Sequence, residues 1–392
     1  MVLTNKQQEG LRIAIERYKA GDKYTCISGY AGSGKTTLVQ FIIEALEVDF
    51  NEVAYAAFTG KAAEVLRQKG CPNATTAHRL LYKARPTPNG RFVFMPRDVL
   101  EYKVVVIDEV SMLSAELWNL LMSHNCYVIA CGDPMQLPPI DKEGACTVLD
   151  KPHVFLDEIM RQAQESEIIR LSMNVREGRS IQYHVGTEVC VLSPNQAQPG
   201  MLLWADQILT ATNACRHELN SLARSALGRT ANLEVGDKVI CCRNCWDITD
   251  TTGENALVNG TIGQITSFSE VNFRYPDPSL PLVNLYKSNI ATGFGGTFTN
   301  VPIDKKAIID ETKTLTPQQE FKFYKNKRLS MYQPPIEFNY GYAITTHRAQ
   351  GSQWNKVLVR EESWPNSKME HRRWLYTGVT RAAEKLVLIH QG

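Results

Sequence analysis

The stretch GYAGSGKTT at residues 29–37 constrains the fold of this chain more than any other part of its sequence. It has the form G-x-x-x-x-G-K-T, with Lys35 and Thr36 at the last two fixed positions. A short β-prone run precedes it at residues 24–28, and a run with helical spacing follows at 38–46. This is the context of a P-loop, in which glycines let backbone N–H groups turn towards a phosphate at the positive end of a helix.

Each residue type in this loop has an expected role. Lys35 would reach the β- and γ-phosphates of a nucleotide, and Thr36 would hold Mg²⁺. The alternative is a glycine-rich turn that only begins a helix, and the β-prone run before the loop argues against it. The residues of the loop expected to contact the nucleotide are Gly32, Ser33, Gly34, Lys35, Thr36 and Thr37.

Two further apolar runs end in polar residues of the kind that a nucleotide-hydrolysing site needs. The first, YKVVVIDEVSML at 102–113, ends in Asp108 and Glu109. Such a strand end places one carboxylate near Mg²⁺ and a second near the attacking water. A buried strand that merely ends in acids is the other interpretation. The second run, YVIACGDPMQLPPI at 127–140, ends in a loop where Gln136 is placed to sense the γ-phosphate.

The same pattern of strand and polar end recurs in both halves of the chain. An apolar run at 53–58 ends at Thr59, and another at 207–211 leads to Asn213. Since open α/β sheets bind ligands at the carboxyl ends of their strands, these positions predict two α/β layers with functional edges. Towards the C-terminus, residues 337–351 are predicted as a helix. Arg381 is predicted to open a helix that leads into an apolar terminal strand.

Two segments differ from this α/β pattern. RPTPNGRFVFMPR at 85–97 predicts a β-hairpin, because Asn-Gly is a strong two-residue turn signal. Phe92 or Phe94 on it would act as a wedge between bases, or would simply be buried in a small hairpin. From 233 to 333, short β runs alternate with Gly and Asn turns, which predicts a small barrel or sandwich with a basic helical segment at 316–329.

Bulk composition limits the remaining possibilities. The 392 residues include 43 Lys and Arg against 41 Asp and Glu, so a generally basic surface is excluded and nucleic-acid binding would need a local cleft. The ten cysteines form no framework pattern, apart from a lone C-x-x-C at 242–245. No apolar run reaches transmembrane length, and no signal peptide is recognisable. We expect a cytoplasmic protein with reduced thiols.

Together these segments resemble superfamily-1 helicases, most closely the 5′→3′ branch, superfamily 1B, with its RecD-like and phage Dda-like enzymes. Nearly the whole chain is covered, with the motifs in the family's order. The matching segments are LTNKQ, GYAGSGKTT, AAFTGKAAEVL, TTAHRLL, VVVIDEVSM, CGDPMQLPPI, EIMRQ, YGYAITTHRAQGSQW and LYTGVTRA. Relatives often have Glu where this chain has Gln353, and Pro where it has Phe58.

This resemblance implies an α/β fold of two RecA-like P-loop domains with parallel sheets, a small hairpin insertion and an SH3-like β-barrel insertion. The first RecA-like domain would span 1–150, with a strand-separating pin at about 82–100. The second would combine 151–232 with 334–392. The SH3-like insertion would occupy 233–333.

The resemblance also implies ATP and Mg²⁺ as cofactors and assigns roles in hydrolysis. Gln7 would pair with adenine, Asp108 would hold Mg²⁺ with Thr36, and Glu109 would activate water. Gln136, Arg161 and Arg381 would contact the γ-phosphate. The expected catalytic set is Lys35, Asp108, Glu109, Gln136, Arg161 and Arg381.

Single-stranded DNA would cross both RecA-like domains. The expected contacts are Phe58, Thr59, Lys61, Thr76, His78, Asn213, Asn259, Thr346, His347 and Arg348, with Phe92 and Phe94 on the pin. The expected partners are single-stranded DNA, junctions of single- and double-stranded DNA, and replication or recombination proteins, without a membrane. A monomer of phage or bacterial origin is expected.

The resulting prediction is an ATP-dependent 5′→3′ DNA helicase and translocase. One alternative is a translocase or remodeller that hydrolyses ATP on single-stranded DNA without robust unwinding. Another is a P-loop kinase or other NTPase without a nucleic-acid substrate, against which the motifs of the second half argue.

Overall fold

The structure is a computed structural model. It describes residues 3–58, 60–68, 70–71, 73–86, 92–138, 146–159, 165–253, 255–293, 295–326, 328–329, 331–364 and 367–392. The chain divides into two compact units, described separately below. The first comprises residues 1–83, 96–216 and 344–392, and the second comprises 84–95 and 217–343. Among the described residues, no helix has the length and apolarity to cross a membrane.

The helices and strands are numbered in chain order. The helices are α1 (Asn5–Lys19), α2 (Lys35–Ala45), α3 (Gly60–Gln68), α4 (Ala77–Leu81), α5 (Ala115–Ser123), α6 (Glu167–Glu177), α7 (Pro199–Trp204), α8 (Asn213–Ala226), α9 (Lys305–Asp310), α10 (Pro317–Lys325), α11 (Thr346–Ala349) and α12 (Lys368–Val379). The strands are β1 (Tyr24–Gly29), β2 (Val53–Ala57), β3 (Ala74–Thr76), β4 (Tyr82–Pro86), β5 (Phe92–Pro96), β6 (Val104–Ile107), β7 (Tyr127–Gly132), β8 (Val154–Leu156), β9 (His184–Val185), β10 (Val189–Leu192), β11 (Gln207–Thr210), β12 (Lys238–Cys241), β13 (Cys245–Thr249), β14 (Ala256–Leu257), β15 (Ile262–Phe273), β16 (Val283–Thr292), β17 (Thr297–Asp304), β18 (Phe338–Tyr340), β19 (Ala343–Thr345), β20 (Trp354–Arg360) and β21 (Ala382–Ile389).

The first sheet of the first unit has the strand order β3-β2-β6-β7-β1-β8, and each neighbouring pair is parallel. Its central strands are buried on both faces. Along β6, Val104 and Val106 join the apolar cluster of Ile42, whereas Val105 joins that of Leu117. A strand covered on both sides must be continuously apolar, which explains the uninterrupted runs in the sequence.

The register of this sheet brings three functional loops to one edge. Ser28 of β1 pairs with Gly132 of β7, and Ile107 of β6 pairs with Ala130 of β7. The strand β1 ends one residue beyond the level of Gly132, and β6 ends at the level of Ala130, so the loops after these three strands begin within about three residue steps of each other along the sheet. The sheet also includes β8, so it extends past the predicted domain boundary at residue 150.

The second sheet of this unit has the order β19-β11-β20-β21-β10-β9. Its pairs from β11 through β10 are parallel, and β9 is an antiparallel edge strand. The helix predicted for 337–351 is wrong, because this segment forms β18 and β19 before the four-residue helix α11. Arg381 likewise follows the end of α12 and leads directly into β21, so it does not open a helix.

The second unit contains an antiparallel sheet of order β17-β16-β15-β12-β18 and the small pair β13-β14. Antiparallel strands agree with the predicted β insertion, and the SH3-like barrel stays a prediction. The sheet includes β18 at 338–340, beyond the predicted end at 333. The predicted hairpin is present as β4 paired with β5, whereas its turn at 87–91 lies outside the described residues.

Candidate active site

The P-loop joins β1 to α2 and keeps its shape through its own backbone. Gly32 and Gly34 both have φ of 77°, a left-handed conformation that costs energy for any residue with a side chain. The Ser33 hydroxyl donates to the Tyr30 carbonyl at 2.8 Å. Gly34 is the N-cap of α2 and has no side chain with which to cap it. The first N–H groups of the helix are therefore oriented for an anion.

Lys35 donates hydrogen bonds to backbone carbonyls of the P-loop. Its Nζ donates to the Gly29 carbonyl at 2.8 Å and to the Tyr30 carbonyl at 2.9 Å. This ammonium group has three donors, so a phosphate oxygen would take the third or replace one of the two carbonyls.

The acid pair lies where β6 ends. Asp108 accepts the N–H of Glu109 through Oδ1 at 3.0 Å, and Glu109 has a left-handed backbone with φ of 53°. This conformation is uncommon for a residue with a side chain, and such positions concentrate at functional sites. Glu109 Oε1 is 3.2 Å from Nη1 of Arg381. Its Oε2 is buried and has no hydrogen-bond partner among the described residues.

The oxygen donors at this edge fit a magnesium ion. Asp108 supplies a carboxylate at the end of β6, and Thr36 has an exposed side chain in the first turn of α2. Carboxylate and hydroxyl oxygens are the hard ligands that Mg²⁺ prefers. In the part of the chain that the structure describes, no three His, Cys, Asp or Glu residues cluster to hold a metal. The ion would take its other ligands from phosphates and water.

Arg381 is almost completely buried, with 3% of its surface exposed. Besides Glu109, its guanidinium donates to the carbonyls of Thr377 at 3.1 Å and Ser352 at 3.3 Å. It also donates to the hydroxyl of Thr380 at 3.3 Å. These bonds fix the guanidinium beside the acid pair. The structure thus brings together two predicted catalytic residues that are 272 positions apart in sequence.

A buried hydrogen-bond chain, which the sequence did not predict, joins the P-loop to the loop after β7. The Tyr376 hydroxyl accepts the N–H of Ala31 at 2.8 Å and donates to Oδ2 of Asp133 at 2.6 Å. Burial raises the pKa of the Asp133 carboxyl, and the charge of Lys35 and the bond from Tyr376 oppose it only in part. Burial and the charge of Asp133 raise the pKa of Tyr376 well above its usual value, so the phenol keeps its proton.

The loop after β7 has two further contacts of this kind. The Leu137 N–H donates to the Thr377 hydroxyl at 3.0 Å, and its carbonyl accepts from Gln350. Gln136, the predicted γ-phosphate sensor, has a buried Oε1 with no partner among the residues described. A buried amide oxygen without a partner is costly, which is consistent with a site completed by a ligand or water.

Gln7 has a role in this structure that differs from the expected one. It is 1% exposed, and its Nε2 donates to the carbonyls of Ser33 and Gly34. Its Oε1 accepts the N–H of Thr4, whose hydroxyl accepts the N–H of Gln7 in turn, which forms a capping box at α1. Pairing with adenine stays a prediction and would require exchange of these bonds.

The predicted DNA contacts of the first half are partly brought together. Phe58, His78 and Tyr82 form a row of rings, with centroids 6.1 Å and 6.3 Å apart. Burial lowers the pKa of His78, which favours the neutral ring. The Thr76 hydroxyl caps α4 by accepting the N–H of Arg79. Thr59, and the side chains of Lys61, Phe92 and Phe94, lie outside the described residues.

The predicted contacts of the second half are mixed. Thr346 has no exposed surface and donates to the Thr210 carbonyl at 3.2 Å, so its side chain does not face solvent in this conformation. His347 lies beside Trp364, and Asn213 accepts a hydrogen bond from Arg216. The remaining predicted contact here is Arg348, which follows His347 in α11.

The two remaining predicted site residues are Asn259 and Arg161. Asn259, in the second unit, donates its N–H to the side chain of Asn244 at 2.9 Å. Arg161, the predicted second arginine at the γ-phosphate, lies outside the described residues. Both roles stay predictions.

Comparisons with known proteins agree with this geometry. A family described as an AAA domain matches residues 3–187, and a family described as a UvrD-like helicase C-terminal domain matches residues 340–389. The first covers the P-loop, the acid pair and the loop after β7. The second covers α11, α12 and Arg381. Such a P-loop site on parallel sheets defines a RecA-like P-loop protein.

Curated relatives include the ATP-dependent RecD2 DNA helicase of Deinococcus radiodurans, 25% identical over 93% of this chain and 47% of that protein. The ATP-dependent DNA helicase dda of Enterobacteria phage T4 is 30% identical over 45% of this chain and 43% of that protein. The chain thus spans less than half the length of these two relatives. A crystal structure of Bacteroides Pif1 bound to ssDNA covers the whole chain and 93% of that protein, with a TM-score of 0.55 and 16% identity.

The two family matches and these relatives support a superfamily-1B helicase of the RecD, Dda and Pif1 type. The shared fold has two RecA-like domains.

Proposed function

We propose that this chain is an ATP-dependent DNA helicase and translocase that moves 5′→3′ along single-stranded DNA and separates duplex strands. The observation that carries the proposal is the 3.2 Å contact between Arg381 and Glu109, which brings an arginine of the second sheet to the acid pair of the first. A nucleotide site that draws on two sheets can couple hydrolysis to their relative movement.

The chemistry follows from the residues at the edge of the first sheet. Lys35 and the N–H groups of α2 would bind the phosphates, and Thr36 and Asp108 would hold Mg²⁺, which neutralises charge on the phosphates when bound. Glu109 would orient and deprotonate the attacking water. For this it must release Arg381, whose guanidinium would then stabilise charge on the γ-phosphate together with Gln136 and Arg161.

DNA would be the second substrate. We propose that bases stack on the partly exposed rings of Phe58, His78 and Tyr82. The RecD2 and dda relatives carry the name of DNA helicase, and the Bacteroides Pif1 structure is described as bound to ssDNA. We extend that substrate to this chain, with Asn213, His347 and Arg348 as further contacts and the β4–β5 hairpin as the pin.

An unwinding assay on duplexes with 5′ or 3′ single-stranded tails tests the proposal. With ATP and Mg²⁺, only the 5′-tailed duplex is expected to open, and single-stranded DNA is expected to stimulate ATP hydrolysis. Lys35→Ala should abolish both activities. DNA-stimulated hydrolysis that survives Lys35→Ala would refute the nucleotide site, and opening of only the 3′-tailed duplex would refute the direction.

The same assay distinguishes the translocase without robust unwinding. That activity would show DNA-stimulated ATP hydrolysis and displacement of a protein block from single-stranded DNA, but no opening of either duplex. Substitution of Phe92 and Phe94 by Ala would then change nothing. If they act as a wedge, the double substitution should reduce unwinding and leave ATP hydrolysis intact.

A further inference from the structure

Tyr376 links the P-loop, the loop after β7 and the helix end that leads to Arg381. Its ring is buried in α12, with 1% of the residue exposed. Its hydroxyl contacts two groups of the first sheet, the Ala31 N–H and the Asp133 carboxylate. Nothing in the mechanism proposed above uses this hydroxyl or Asp133.

The direction of the hydrogen bonds in this chain is fixed. A backbone N–H can only donate, so the phenol oxygen accepts from Ala31 and its proton must point to Asp133. The other oxygen of Asp133 accepts the N–H of Met135 at 2.9 Å. Both carboxylate oxygens thus accept a hydrogen bond, as an ionised group does. Lys35 and Arg381 supply the opposite charge around it.

The next residue along the helix reinforces the link. Thr377 accepts the N–H of Leu137, four residues after Asp133. Arg381 then reaches Glu109 from the turn that follows α12. The C-terminal end of one helix therefore holds the loops after β1, β7 and β6 in one arrangement.

We propose that Tyr376 is a positioning residue for nucleotide hydrolysis, which ties the Ala31 peptide to Asp133 and so sets where Arg381 meets the acid pair and the γ-phosphate. This inference rests on the proposed function. The hydroxyl touches neither nucleotide nor water in this role, and it acts through the P-loop peptide and through Arg381.

Tyr376→Phe removes the hydroxyl and keeps the ring. The Ala31 N–H and one oxygen of Asp133 would lose their partner in a buried place, while Lys35 and the N–H groups of α2 would still bind phosphate. We therefore expect kcat for ATP to fall about tenfold, with KM for ATP changed less than about twofold. A variant that is merely less stable would lose active protein without this division between kcat and KM.

Tyr275→Phe is the matched control. Tyr275 is also buried, and its hydroxyl donates to the Gln333 carbonyl at 2.9 Å within the second unit. This variant and Tyr376→Phe should both lower the urea midpoint, but Tyr275→Phe should leave kcat unchanged. Equal losses of kcat in the two variants would overturn the inference.

Combination with Arg381→Ala tests the route of the effect. If Tyr376 acts by placing Arg381, then Tyr376→Phe should change the residual kcat of Arg381→Ala by less than about twofold. A further tenfold loss in that background would show that the hydroxyl acts elsewhere.

The outcomes separate this inference from the proposed function. An unsubstituted protein without DNA-stimulated ATP hydrolysis would refute the function itself. A protein whose hydrolysis depends on Lys35, but whose kcat is unchanged by Tyr376→Phe, would refute only the role of Tyr376.

Discussion

Removal of the Arg381 guanidinium should damage both stability and hydrolysis, and the two losses can be measured separately. Nη1 of Arg381 is 3.2 Å from Oε1 of Glu109, whose side chain is 20% exposed. At an effective dielectric of about 20, this distance gives an attraction of roughly 5 kcal/mol, most of which the desolvation of both groups cancels. We expect a net coupling of about 1–2 kcal/mol between the two side chains.

A double-mutant cycle measures that coupling. Arg381→Ala, Glu109→Gln and the double variant would be unfolded in urea without nucleotide. Arg381→Ala should cost about 2–4 kcal/mol, because it also removes the donors to the carbonyls of Thr377 and Ser352. The double variant should be less destabilised than the sum of the single variants by the coupling energy. Strict additivity would show that the contact contributes nothing to stability.

Hydrolysis should respond far more strongly than stability. If Arg381 stabilises charge on the γ-phosphate, Arg381→Ala should lower kcat by about a thousandfold or more, with a small change in KM for ATP. Arg381→Lys keeps the charge without the planar fork and should stay well below the unsubstituted protein. If Arg381→Ala keeps kcat within about tenfold while Lys35→Ala is inactive, the arginine only stabilises the fold.

Three further predictions concern the P-loop, the first helix and a buried ion cluster. Gly34→Ala and Gly21→Ala place a side chain at φ of 77° and 79°, so each should cost about 1 kcal/mol in urea unfolding, but only the P-loop variant should weaken nucleotide binding in a titration. Thr4→Ala removes half of the capping box and should cost about 1 kcal/mol, which Thr4→Ser should restore. The hydrogen bond to Glu361 raises the pKa of His371. Burial acts to raise the pKa of Glu361, but the hydrogen bonds that Glu361 accepts outweigh burial and lower this pKa. The contribution of this pair to stability is therefore complete between the ordinary pKa values of 4.5 and 6.5. It is lost as pH rises through the raised pKa of His371 or falls through the lowered pKa of Glu361. His371→Gln should therefore lower the urea midpoint more at about pH 5.5 than at about pH 9, and an equal loss at both would refute this.

The sequence predicted those parts of the site that local pattern determines. The P-loop and the acid pair each follow a buried strand, and both a continuous apolar run and the polar residue after it are visible in a single stretch. The P-loop and acid-pair strands end at the same edge of one sheet, as expected for parallel strands.

Contacts between residues far apart in the chain could not be predicted from local sequence pattern. Tyr376 lies in the buried C-terminal half of α12, where a tyrosine is indistinguishable from a core residue until its hydroxyl partners are known. Asp133 follows a predicted strand, but nothing local indicates that a residue 243 positions away would bond it. Thr346 follows a β-branched segment that was predicted as helix, and its burial against the neighbouring strand β11 depends on sheet pairing that sequence spacing does not specify.

These contacts also explain why the P-loop cannot be treated as an isolated phosphate site. Lys35 donates to the carbonyls of Gly29 and Tyr30, and the next residue, Ala31, donates to Tyr376. The Tyr30 carbonyl and the Ala31 N–H belong to one peptide group, so a phosphate that draws Lys35 from this carbonyl would act on the peptide that Tyr376 of α12 holds. We therefore expect nucleotide binding to act on α12, the helix whose end leads to Arg381. We expect nucleotide binding and catalytic alignment to be coupled through that peptide.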